Sequence, residues 1–136
     1  MFSLRKDTVV VGLVTLVCLG GAARGGLIVR FDTPERTVGL GDVFTIDILA
    51  DIGDPLVGWG VDLSFDPSIL SLVGPPAIGP SWFQASAPDG DGLAGLAFPD
   101  SVSGAGVLLA SVTFSGVTLG ETDLTLSTTP GDITEG

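Results

Sequence analysis

The sequence predicts an all-β fold, a two-sheet antiparallel β-sandwich, and three observations carry that reading. Apolar residues recur in steps of two wherever they cluster. The stretches between them are short and rich in turn formers, with 21 Gly and 9 Pro in 136 residues. No segment after residue 25 holds a helical period over three turns. A hydrophobic fraction of 45% is enough to give one domain a buried core.

The strands follow from the alternation. Leu27, Val29 and Phe31 form one set, and Phe44, Ile46 and Ile48 form another, with Thr45 and Asp47 between them. Trp59, Val61, Leu63 and Phe65 alternate with Gly60, Asp62 and Ser64. Leu108, Ala110, Val112 and Phe114 alternate with Leu109, Ser111 and Thr113, and Leu124 and Leu126 close the series. A period of two places each set on one face of a strand, and such faces are buried only against a second sheet.

The breaks carry turn chemistry. Gly39 to Asp42, Asp51 to Pro55 and Val117 to Glu121 have the length of hairpin or arch connections. At Asp66-Pro67 the Asp side chain can cap a turn, and Pro67 sits where a missing N–H does no harm. The longer stretch from Gly74 to Gly92 holds four prolines and has room for short edge strands. No strand pattern follows Leu126, so the closing strand of the sandwich is expected to be missing from this sequence. An unpaired sheet edge there would be open to association.

Residues 1–25 read as a signal peptide, leaving residues 26–136 as the sandwich domain. Arg5 and Lys6 supply the positive start, and Thr8 to Gly21 is an uncharged apolar run. Gly21, Ala22, Ala23, Gly25 and Gly26 supply small residues, with cleavage after Ala23 or Gly25 both open. The run is shorter than the roughly 20 apolar residues that span a bilayer. The expected location is therefore secreted, extracellular or at the cell surface, with no membrane insertion after cleavage. A buried N-terminal strand or a membrane anchor is the other reading of the same residues. Cleavage removes Arg5, Lys6, Arg24 and Asp7 from the 5 basic and 16 acidic residues, leaving 2 and 15 and a net charge of −13. Such a surface repels nucleic acid and anionic membranes and attracts cations or a basic protein face. The only cysteine, Cys18, lies in the leader, so the mature domain has no disulfide.

Two stretches, Gly58-Trp59-Gly60-Val61-Asp62-Leu63-Ser64-Phe65-Asp66-Pro67-Ser68-Ile69-Leu70 and Ser103 to Phe114, resemble the cohesin domain family. The first is similar to its third strand and following turn, the second to its glycine turn and eighth strand. Val38-Gly39-Leu40-Gly41-Asp42-Val43-Phe44-Thr45-Ile46 resembles the family's entry into strand two. The resemblance covers nearly all of residues 27–127. It implies a cohesin-like, nine-stranded jelly-roll related to cellulose-binding modules, and a role in binding dockerin modules within extracellular polysaccharide-degrading assemblies. Where clostridial cohesins present an Asn and an Asp to dockerin, this sequence has Gly58 and Gly60, so that mode of recognition lacks its side chains. The resemblance leaves Asp62, Ser64, Leu109, Ser111 and Thr113 as the expected partner-binding residues.

Catalysis finds little to work with. The sequence has no His and no Tyr, and past the leader no Cys or Lys, which removes the common bases and nucleophiles. The carboxylates are spread over turns and read as solvated surface more readily than as a glycosidase pair. The chain is expected to be a non-enzymatic binding module. Asp89, Asp91 and Asp100 stand at positions 1, 3 and 12 of a calcium-loop spacing, but Leu93 and Ala94 break the pattern at positions 5 and 6. Ca²⁺ there is an expectation set against a plain polar turn. Trp59 shares the phase of core residues. Trp82 reads first as a plug at one end of the sandwich, and it is the candidate carbohydrate-stacking residue under the alternative reading. Dockerin-like protein, polysaccharide or a structural cell-surface matrix are the alternative partners.

Overall fold

The computed structural model describes residues 8–14, 16–18, 27–83 and 92–127. Eleven strands lie in this part of the chain: β1 (Thr8–Val14), β2 (Leu16–Cys18), β3 (Leu27–Phe31), β4 (Glu35–Gly39), β5 (Val43–Leu56), β6 (Gly58–Ser64), β7 (Leu70–Leu72), β8 (Ala77–Ile78), β9 (Gly92–Leu96), β10 (Val102–Gly116) and β11 (Gly120–Ser127). One sheet has the order β4-β1-β11-β6-β9. The other runs β2-β3-β5-β10-β7, with β8 added to β10. All neighbours are antiparallel except β1 and β11. The all-β two-sheet sandwich is the architecture of the chain.

The alternating residues meet between the sheets. Ile46, Ile48, Ala50 and Ile52 from β5 and Ala110, Val112 and Phe114 from β10 face Trp59, Val61 and Leu63 from β6 and Leu124 and Leu126 from β11. Phe114 stacks on Phe44 at 5.8 Å and meets Phe65 edge-on at 5.1 Å, geometries that aromatic quadrupoles favour. Thr8–Val14 and Leu16–Cys18, the apolar stretch read as leader, pair as β1 and β2 with strands of the two sheets.

Two expected connections turn out to be strand. Asp51 to Pro55 continues β5, and the glycine turn from Ser103 to Gly106 lies inside β10. The register between these strands slips between Val102 and Gly104, between Gly104 and Val107, and between Leu108 and Ala110. Gly104 (φ 128°) and Gly106 (φ 64°) take the left-handed backbone that such bulges require. Asp51 pins them: its Oδ1 accepts the Gly106 N–H at 2.7 Å and lies 3.2 Å from the Arg30 guanidinium. Those two partners, the Gly106 amide first, hold the Asp51 carboxyl below its ordinary range.

The remaining turns match their chemistry. Gly39 to Asp42 closes through the Gly39 N–H on the Asp42 carboxylate at 2.9 Å, with Gly41 at φ 79°. After Phe65, the Asp66 carboxylate accepts both the Ser68 hydroxyl (2.6 Å) and the Ser68 N–H (2.9 Å), which lowers its pKa. The Asp66 N–H donates to the Thr122 hydroxyl at 2.9 Å, tying this turn to β11.

Candidate functional site

The five residues expected on one contact face lie on two different sheets. Asp62 and Ser64 are on β6, whereas Leu109, Ser111 and Thr113 are on β10. A single flat partner cannot cover both sets, and the expected face is corrected accordingly. Leu109 is not a surface residue either: it is 1% exposed. The slip between Leu108 and Ala110 is the cause, because a bulge turns successive side chains toward the same side and breaks strict alternation. Asp62 is 8% exposed, and Ser64 beside it is open to solvent.

Ser111 and Thr113 do point outward, where they serve the sheet. The Ser111 hydroxyl donates to the Asp47 carboxylate at 2.6 Å, and Thr113 shares a hydroxyl–hydroxyl bond of 2.9 Å with Thr45. These are cross-strand pairs that lock β5 to β10.

Trp82 is corrected as a sugar platform. It is 5% exposed, packs edge-on against Trp59 at 6.3 Å, and donates its indole N–H to the Leu108 carbonyl at 3.2 Å. No ring face is free for stacking. Its seat is made by Gly79, whose N–H donates to the Leu109 carbonyl at 2.8 Å and where a Cβ would collide with the Leu108 carbonyl oxygen. On the far side of Trp59, Gly95 leaves room for the indole.

Of the calcium residues, Asp89 and Asp91 lie outside the described residues. Asp100 is exposed in the turn between β9 and β10. Among the described residues, no group of three or more His, Cys, Asp or Glu is placed to hold a metal ion.

The structure exposes a different set. Phe83 is 69% exposed and Phe98 is 68% exposed, and both sit at one end of β9. Phe83 exchanges two 2.8 Å backbone hydrogen bonds with Leu96, and Phe98 follows two residues later. The Ala97 N–H donates to the Val57 carbonyl at 2.7 Å, which brings exposed Val57 alongside. Leu96 itself lies partly open over Gly58, so exposed Phe83, Leu96 and Phe98 lie along the β9 rim of the first sheet. Its backing is firm, since Trp59 and Trp82 fill the core beneath.

Sequence reasoning missed this rim, although one signal was present. Neighbouring residues of an extended segment point opposite ways, so a buried Trp82 implies an outward Phe83. No family model matches the sequence, and no curated protein matches it.

Proposed function

We propose that the chain is an exported, non-catalytic binding module of the cohesin type, which docks an extracellular partner protein through the Phe83–Leu96–Phe98 rim. The observation that carries this reading is the pair of phenylalanines left more than two-thirds open on a strongly acidic domain. Exposing large aromatics together costs solubility, and rigidly backed apolar patches are where interfaces place their anchors. The cohesin-like motif around Phe65-Asp66-Pro67, at the turn after β6, supports the jelly-roll order and a dockerin-like partner in polysaccharide degradation.

The same two rings favour a second reading. Exposed phenylalanine faces can stack on sugars, so carbohydrate binding now rests on Phe83 and Phe98 in place of Trp82.

The test is capture by the immobilised full chain from secreted protein and, separately, on insoluble cellulose. The variant carries Phe83→Ser and Phe98→Ser together. Loss of an anchor pair worth about 2 kcal/mol weakens capture about thirtyfold while the melting temperature holds. Protein capture lost in the variant supports the first reading, and cellulose retention lost in the variant supports the second. Undiminished capture of both would remove the rim from the account.

A further inference from the structure

β1 (Thr8–Val14) holds together two strands that have little other support. β4 pairs with β1 through five residues, Thr8↔Gly39 to Gly12↔Glu35, and with no other strand among the described residues. β11 meets β6 only through Thr125, Leu126 and Ser127, so Gly120 to Leu124 take their ladder from β1 alone. The slot between them lies over the core, with Thr122, Leu124 and Leu126 buried on β11 and Val38 half-buried on β4. A strand placed there satisfies two edges at once, parallel to β11 and antiparallel to β4.

The residues that fill this slot are the ones that read as a removable leader. Cutting after Ala23 or Gly25 frees Thr-Val-Val-Val-Gly-Leu-Val from the domain. Two strands then present unpaired N–H and C=O groups beside apolar core, a costly and adhesive arrangement.

We infer that the position between β4 and β11 is a strand-acceptor site. The precursor fills it with its own leader, and the cut domain fills it with an uncharged, valine-rich extended segment of a partner polypeptide. The seated Thr8–Val14 shows the sequence that fits: an uncharged, valine-rich run without proline, whose backbone pairs on both sides. Residues 128–136 suit it poorly, with Ile133 as their single branched aliphatic residue and Pro130 lacking an N–H. Reaching the slot in the direction of β11 also takes a crossover of about a dozen residues or more. Recognition by strand addition draws affinity from main-chain hydrogen bonds and selectivity from side-chain fit. The inference rests on the export reading and is independent of the Phe83–Phe98 rim.

The experiment starts from the folded full chain with a specific protease site inserted between Gly25 and Gly26. After cutting, a fluorescent peptide with the sequence of Thr8–Val14, flanked by lysines for solubility, is titrated in. The expected result is saturable binding that displaces the leader fragment and keeps amide exchange slow over Glu35–Gly39 and Gly120–Leu124. A peptide with proline in place of Val11 lacks the N–H at the middle of the ladder and binds at least about tenfold more weakly. Three results would overturn the inference. They are slow exchange in both strands once the leader fragment is gone and no peptide is present, equal binding of the proline peptide, and unfolding on cutting that the peptide fails to reverse. Closure of the slot by dimerisation of the cut domain would likewise overturn a separate partner chain. Failure of the Phe83/Phe98 capture test leaves all of these readouts unchanged, so the two proposals fail separately.

Discussion

Trp59 and Trp82 touch edge-on in the same core, yet their indole N–H groups meet different fates. Trp82 donates to the Leu108 carbonyl, whereas the Trp59 N–H is buried with no acceptor among the described residues. Replacing either by Phe removes similar ring volume, but only Trp82→Phe also breaks a hydrogen bond. Trp82→Phe is therefore expected to destabilise the chain by about 1 kcal/mol more than Trp59→Phe in urea unfolding. Leu109 makes a second residue-level test. Its burial predicts a cost of about 2–4 kcal/mol for Leu109→Ala, where the outward position expected from alternation would cost less than about 0.5 kcal/mol. The difference is large enough to be read in a single pair of melts.

At the scale of elements, β5 and β10 form the long pair that spans the second sheet, and their bulges are what the sequence conceals. Alternation was legible wherever the ladder is regular, from Phe44 to Ile48 and from Ala110 to Phe114, because a buried face enforces a period of two. It failed at Leu109, where one extra residue on β10 between Leu108 and Ala110 resets the phase, and over Asp51 to Pro55, where β5 carries two extra residues between Ile52 and Leu56. The glycines at 104 and 106 were visible as a turn, but whether such residues end a strand or kink one depends on the partner strand. Asp51 secures the kinked end. Its lowered carboxyl pKa means the folded state favours the ionised form. The stabilisation is complete above the ordinary carboxylate range and is lost as pH falls through the lowered value. Asp51→Asn should therefore lower the melting temperature at pH 7, and the gap to the parent should close as pH falls through and below the ordinary carboxylate range. A gap that stays constant with pH would contradict the role given to the Gly106 and Arg30 contacts.

The whole molecule separates functions that the sequence ran together. The expected contact face mixed residues of two sheets, because strand order is a property of topology and no single strand records which sheet it joins. The fold class and most of the core were legible; the rim was not, because Phe83 and Phe98 become neighbours only when Phe83 pairs with Leu96. An acidic sandwich then presents the aromatic rim at its β9 edge, with β1 seated between β4 and β11 in the same sheet and the polar Thr45–Thr113 and Asp47–Ser111 ladder on the other sheet. Hydroxyl-radical footprinting of the full chain, free and with its captured partner, reads these surfaces directly. If the rim is the docking surface, Phe83, Leu96 and Phe98 are modified strongly in the free chain and become protected in the complex. Equal modification of Phe83 and Phe98 in both states would contradict it.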